Sequence, residues 1–539
     1  MSVFRRDPAE VIAELESLRA ADAPTHGGRV LSYVYDSGEH AIDELAGEAA
    51  RLVQPVNGLD PTTFTSVAAM ESAVVGFARR VFHGEPDAAG SSGSGSTAGA
   101  AFGSADDDSD ADIVVGSVTS GGTESCVLAV KTARDDWRAA RAGTPRMPRL
   151  VAPVTVHAAF HKAAELLGLA LDLVPVDPAT GAPTVDDLEA RLGDDVALVV
   201  VSAPSYPFAT LDPVAEVAAV CAARRIALHV DACIGGFALA FWPDDLPAWD
   251  FAVPGVTSLS ADLHKYGYAP KGVSVLLTRG RDRQRRQYFA TTAWPGYPVV
   301  NPTLAGSRPA GPLAASWAIV RALGEPGFVE LTGRAARATA AVRALVDGIE
   351  GLRVVGDPTG PLLAVATDDG VAPDRRIDPH HWADAARTAG WHLQLQPGLV
   401  QRDGTRLPHT THLTITPVTE SVLPELSAAL AAAADAVRGA PPIDGGELLA
   451  GLAAQLPGGA DALAAAASGL DSEAAATLLA AFGLLGGAGA TGALPDRLAP
   501  VLALVEALPG PLTERLLVEL LARVVEPRPA ASARPAASD

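Results

Sequence analysis

SLSADLHKYGYAPKGVSVLLT, residues 258–278, holds the lysine around which the rest of the chain is read. A lysine serves as a Schiff-base nucleophile only where it is held in place and its ammonium is made easy to deprotonate. Lys265 follows His264, is flanked by Ser260 and Asp262, and precedes an apolar strand-like run, Val273 to Leu277, able to anchor a short loop. An ordinary surface lysine needs no such setting. Most lysines are ordinary, however, and the segment alone leaves both readings open.

Two stretches upstream add to it. IALHVDACIGGF, residues 226–237, is an apolar strand that ends in Asp231 before a glycine pair. A carboxylate at the end of a buried strand is costly unless it meets a cation. The protonated ring nitrogen of pyridoxal phosphate is such a cation; a capping or metal-binding aspartate is the plainer alternative. VVGSVTSGGTESCVLAVKTARD, residues 114–135, reads as a strand, a Ser/Gly turn and an amphipathic helix. There the amides of Gly122 and Thr123, with the helix dipole, would seat a phosphate, although an ordinary capped helix has the same letters.

Between Ile113 and Leu277 apolar runs alternate with helical patterns. Strands are expected at 114–118, 150–154, 171–176, 197–202, 226–230 and 273–277, with helices at 124–141, 159–168, 185–192 and 212–224. The alternation predicts an α/β fold with a mostly parallel sheet covered on both faces. Ligands in such sheets gather at the carboxyl ends of strands. The Gly turn, Asp231 and Lys265 all fall there.

The segments TSGGTES (119–125), HAAFHKAAELLG (157–168), HVDACIGGF (229–237), SADLHKYGYAPKG (260–272) and NPTLAGSRPAG (301–311) resemble the sphingosine-1-phosphate lyases and their bacterial relatives, within the fold-type-I pyridoxal-phosphate enzymes. The likeness runs over residues 28–440, and the decarboxylases related to glutamate decarboxylase are the next nearest group. It implies the PLP-dependent transferase fold with a smaller C-terminal α+β domain. It also implies Lys265 as the cofactor's covalent anchor, Asp231 at the ring nitrogen, and His157 stacked on the ring. The cofactor's phosphate would lie on Gly122, Thr123 and His264, and on Ser307 from the neighbouring subunit of a homodimer. Tyr35 and Lys271 would bind substrate, and Tyr206, in the loop 202–212, would face it or merely pack. Without the resemblance, Tyr35 reads equally well as a packed aromatic, His157 as a helix cap and Lys271 as a solvated charge.

One position departs from the lyase pattern. In NGLDPTTFTS, residues 57–66, Asp60 stands where those lyases carry a histidine that helps hold the substrate's phosphate, and a carboxylate there would repel it. The implied activity is retro-aldol carbon–carbon cleavage of a phosphorylated 2-amino alcohol to an aldehyde and an aminoethyl phosphate. Decarboxylation of an L-amino acid is the alternative, and a non-catalytic dimeric scaffold a lesser one. Nothing in the spacing of Arg375, Arg376 and Arg402 marks them as carboxylate binders.

A formal charge of −22 argues against nucleic acid or an anionic membrane as partner. Three cysteines, 126, 221 and 233, show no zinc or disulfide spacing, so no metal is expected and a reducing cytoplasm fits. The amino-terminal residues lack an apolar signal core. The uncharged run 474–494, with five glycines, reads as packed helices rather than a membrane span. The expected organisation is a helical arm and substrate segment (1–83, with one helix over 1–25), an acidic Gly/Ser-rich insertion (84–112), a large cofactor domain (113–324), a small domain (325–440), an Ala/Leu-rich helical extension (441–527) and a disordered tail (528–539).

Overall fold

A computed structural model describes residues 3–85, 112–141, 146–454, 469–485 and 495–527. The expected insertion, except its ends, and the tail 528–539 lie outside the described residues. Seven strands form the central sheet: β1 (Val114–Thr119), β2 (Arg149–Pro153), β3 (Ala170–Val174), β4 (Val196–Ser202), β5 (Ala227–Asp231), β6 (Ser258–Ala261) and β7 (Ser274–Arg279). Their order is β1-β7-β6-β5-β4-β2-β3, with β7 antiparallel to both its neighbours and the other pairs parallel.

The VALVVVS of β4 is buried along its whole length, as a strand covered on two faces must be. Alternate residues serve different layers. Leu198 and Val200 pack with Trp137 and Phe160 on one face, while Val199 and Val201 join Val217 and Phe237 on the other. Strand β6 was not expected from sequence. It has only four residues, two of them serine, and it is tied into the sheet by His229, whose ring nitrogens meet Ser258 Oγ at 2.9 Å and Ser260 Oγ at 3.0 Å. Burial pushes this histidine down to about 4, so the bridge is neutral.

A helix over Gly311–Asp347 leads out of the large domain and kinks at Gly324, where φ is 53°. The small domain then forms a four-stranded antiparallel sheet around Trp382 and Trp391. Strand Leu352–Val354 of that sheet was not foreseen. The amino-terminal helix α1 covers only Pro8–Arg19, because Asp7 caps it and Pro8 takes its first turn; none of its residues is buried. After it, residues 28–38 cross the small domain, with Leu31 in its core and Val30 bridged to His392. That path carries Tyr33 and Tyr35 to the sheet's carboxyl edge.

The extension adds helices Gly445–Ala453, Ser472–Ala481, Ala499–Ala507 and Gly510–Val525, with a core of their own. It is pinned to the small domain by Asp384, whose carboxylate accepts from the amides of Leu498 (2.8 Å) and Ala499 (3.0 Å) at a helix start. Among the described residues no helix is long and apolar enough to cross a membrane.

Candidate active site

A chamber of about 600 Å³ opens at the carboxyl ends of β1, β4, β5 and β6. Lys265 reaches into it from the turn after β6. Its Nζ lies 2.9 Å from Asp262 Oδ2, three residues earlier, and the Asp262 side chain is 2 % exposed. Burial alone would push the ammonium down, but the Asp262 carboxylate outweighs it and holds Lys265 above the ordinary lysine range. The sequence leads one to expect a lysine that sheds its proton easily; the structure pairs it with a buried anion instead. Asp262 is held below the usual carboxylate range by Lys265 and His264, against a burial cost that acts the other way.

The turn Ser120–Thr123 lines the chamber. Gly121, at φ 151° and ψ 170°, starts the helix Gly122–Ala140 in a conformation open essentially to glycine alone. A Cβ on Gly122 would lie 2.7 Å from Asp262 Oδ2 and 2.9 Å from Cys233 Sγ. Only a bare backbone fits, which leaves the amides of the first turn facing the cavity. Glu124 holds this geometry: Oε2 accepts from the amide of Ser120 at 2.6 Å, and Oε1 from Leu304 at 2.7 Å. His264, half-buried, accepts from the amide of Val273 through Nδ1 at 3.2 Å. Burial lowers its basicity.

Asp231, 7 % exposed at the end of β5, accepts from the amide of Cys233 at 3.0 Å and otherwise faces the chamber. Cys126, Asp231 and Cys233 bring ligand-type atoms within 4.8 Å of one another. Burial of Cys126, and for Cys233 a hydrogen bond to Cys126 together with burial, push both thiols up. They are therefore protonated, and Cys233 donates to Ser260 Oγ at 3.2 Å. His157 both caps and lines: its Nδ1 accepts from the amide of Ala159 at 3.2 Å, while the exposed ring forms a wall of the chamber.

Tyrosines surround the mouth. Tyr35 packs edge-on against Tyr266, with ring centroids 5.4 Å apart, and Lys271 Nζ lies 4.4 Å over the Tyr35 ring. Lys271 also donates to the His264 carbonyl at 3.1 Å. Burial pushes the Tyr35 hydroxyl up to about 12 and, with help from the Lys265 charge, pushes the Lys271 ammonium down to about 8. Tyr206 stacks on His412 at 4.2 Å and lines the chamber.

Three expected residues do not line the chamber: Lys271, which lies beside it over the Tyr35 ring, and Asp60 and Ser307. Asp60 and Ser307 line a separate cleft of about 1190 Å³, larger than the Lys265 chamber but without its lysine. Asp60 accepts from both the amide and the hydroxyl of Thr62, at 2.9 and 2.6 Å, and from those of Thr63, at 3.2 and 2.6 Å. Ser307 accepts from the side-chain amide of Asn57 at 3.2 Å. Asp262, Glu124 and Tyr33 were not assigned roles from sequence. The signals for Asp262, a carboxylate three residues before the lysine, and for Glu124, which caps the Ser120 amide within TSGGTES, were visible; Tyr33 depends on a contact with Gln394, far along the chain.

With this geometry in hand, similarity to known proteins becomes decisive. Residues 99–362 match the pyridoxal-dependent decarboxylase conserved domain, and residues 447–523 match a C-terminal HTH domain found in pyridoxal-dependent enzymes. The chain is 32% identical over 457 residues to the sphingosine-1-phosphate lyase of Oryza sativa subsp. japonica, covering 83% of this chain and 77% of that protein. The chain belongs to the sphingosine-1-phosphate lyase family. A solved member, the Burkholderia pseudomallei K96243 sphingosine-1-phosphate lyase, superimposes with a TM-score of 0.70 at 30% identity, over 82% of this chain and 93% of that one. The Lactobacillus brevis glutamate decarboxylase, at 19% identity and a TM-score of 0.67 over 82% and 96% of the two chains, shares the fold.

Membership in the lyase family makes the chain a pyridoxal-phosphate-dependent lyase. The residues present suit that cofactor. The Gly122 cradle excludes even a methyl group, Asp231 offers a buried carboxylate to a ring cation, and Asp262 keeps an unpartnered, buried Oδ1 beside the lysine.

Proposed function

We propose that the chain cleaves a phosphorylated, long-chain 2-amino alcohol between the carbons bearing the amine and the hydroxyl, giving an aldehyde and an aminoethyl phosphate. The observation that carries this reading is a cation beside the chamber: Lys271 Nζ lies 4.4 Å over the ring of Tyr35, which lines the chamber, and donates to the carbonyl of His264, which lines it too. Asp60 does not oppose it within its own chain, since its carboxylate is already satisfied by Thr62 and Thr63 outside the Lys265 chamber.

When bound, pyridoxal phosphate supplies an electron sink for the pair released as the bond opens. The chain's own residues have distinct tasks. Lys265 would anchor the cofactor, and its amine, once free and steered by Asp262, would take the proton of the substrate's hydroxyl as the bond opens and return it to the carbon left behind. Asp231 keeps the ring nitrogen charged, and His157 covers the ring. Gly122, Thr123 and His264 hold the cofactor's phosphate, with Ser307 contributed across a homodimer interface. Tyr35, with a hydroxyl that stays protonated, donates a hydrogen bond to the substrate's phosphate beside the Lys271 charge, while Tyr206 orients the amino alcohol.

Decarboxylation of an amino acid is less well supported, because no arginine lines the chamber among the described residues. Arg375 pairs with Glu350, Arg376 with Asp369 and Arg402 with Asp172. We place the enzyme in a reducing cytoplasm, which suits the buried free thiols of Cys126 and Cys233 so close together. The HTH-type extension carries three arginines against eight carboxylates over residues 447–523, a balance that repels phosphate backbones and supports no nucleic-acid partner.

The test is product analysis after the cofactor-loaded enzyme meets dihydrosphingosine phosphate. Long-chain aldehyde with phosphoethanolamine is expected. Carbon dioxide from an amino-acid panel, with no aldehyde, would replace this reading by decarboxylation.

A further inference from the structure

The small domain and the C-terminal helices enclose a second cavity of about 900 Å³, within the range of small-molecule sites, roughly 300–1,000 Å³. Leu393 and Leu395 of the small domain face Leu484, Leu502, Val505 and Leu520 of the extension across it. One end is different. There Tyr33 forms part of the wall, and Tyr33 also forms part of the wall of the Lys265 chamber. Its backbone sits at φ 60°, uncommon for any residue but glycine, and its side chain is hydrogen-bonded to that of Gln394, another residue of the apolar cavity. Tyr33 is nevertheless 65% exposed, so open space rather than packing surrounds it. Tyr33 is thus shared by the walls of a polar reaction chamber and a leucine-rich cavity.

We infer that the hydrocarbon chain of the substrate passes Tyr33 and lies in this cavity, so that the extension forms half of the substrate site. The inference rests on the lyase reading above. The chamber of about 600 Å³ must take the cofactor and the substrate's polar head, and a long alkyl tail left in water would forfeit the burial that favours binding. The leucine cavity adjoins the chamber and needs no polar partner from its occupant. Each methylene seated there raises affinity up to roughly fourfold. The tail's length, not only its head, would then set specificity.

The test is kcat/KM for phosphorylated 2-amino alcohols from hexyl to octadecyl, in wild-type enzyme and in Val505→Trp and Leu520→Trp, two independent fillings of the cavity. Wild-type kcat/KM should climb with chain length. Both variants should lose at least about tenfold for the octadecyl substrate and stay within about twofold for the hexyl one. Equal losses at every length, or no loss, would overturn the inference while leaving the lyase reading intact. Calorimetric binding of hexadecyl phosphate below its micellar concentration separates the converse case. If no amino alcohol is cleaved but this ligand binds wild type at least about tenfold more tightly than either variant, the lyase reading fails and the cavity assignment stands. Binding that is absent, or equal in all three proteins, overturns the assignment. Melting temperatures exclude a misfolded variant, and the two positions back each other up.

Discussion

Lys265 and Lys271 are six residues apart and physically opposite. Lys265 is held charged by the carboxylate of Asp262 at 2.9 Å. Among the described residues Lys271 pairs with no carboxylate; it donates to the His264 carbonyl at 3.1 Å. Its ammonium, over the Tyr35 ring, is pushed down to about 8 by burial and by the nearby charge of Lys265. A base with a lowered pKa is a cation below that value and neutral above it. If Lys271 holds the substrate's phosphate, KM should rise as pH passes through about 8, by up to about tenfold per unit, with kcat unchanged. Steady-state kinetics between neutral pH and pH 9 would show it, and Lys271→Arg, which keeps its charge, should flatten the rise. A flat KM in the wild-type enzyme would remove Lys271 from the phosphate pocket.

Among the elements, the helix start at Gly122 is the most exacting. Its amides face the chamber only because no side chain intrudes between them and Asp262 or Cys233. Gly122→Ala should therefore cost about 1–3 kcal/mol in stability through overpacking, and raise the cofactor's dissociation constant at least about tenfold, as read by titrating its visible absorbance. Unchanged affinity would mean that the phosphate lies elsewhere. This element was legible in sequence because its chemistry is local: a strand, a Gly-Gly turn and a helix lie within 22 consecutive residues. The placement of Asp231 and Lys265 at the carboxyl edge of the sheet was legible for the same reason. What escaped was set at a distance. Strand β6 gets its place from His229 on the neighbouring strand rather than from its own four residues. The kink at Gly324, two residues before Pro326, was not read from the sequence. Helix α1 stops at Arg19, short of the expected helix over 1–25, and none of its residues is buried among the described residues.

At the scale of the molecule, two residues lie outside the chamber of their own subunit. Asp60 and Ser307 share a wide cleft remote from their own Lys265, and Arg308 locks that cleft's wall by bonding the carbonyls of Gly58 and Val118 and the carboxylate of Glu71. If Ser307 completes the chamber of a second subunit, two inactive variants should repair each other. Co-expressing Lys265→Ala with Ser307→Asp would yield hybrid dimers with one intact chamber, and activity should return to about a quarter of wild type when subunits mix at random. No recovery would place Ser307 outside the shared site. The reach of residues 28–38 across the small domain, and the leucine cavity closed by the extension, could not be read from the chain, since each joins segments hundreds of residues apart.

The most direct measurement is to reduce the cofactor-loaded enzyme with borohydride and map the modified peptide by mass spectrometry. The account predicts one reduced pyridoxyl group per chain, on Lys265, and none in Lys265→Ala. A label on Lys271, or carbon–carbon cleavage that survives in Lys265→Ala, would contradict it.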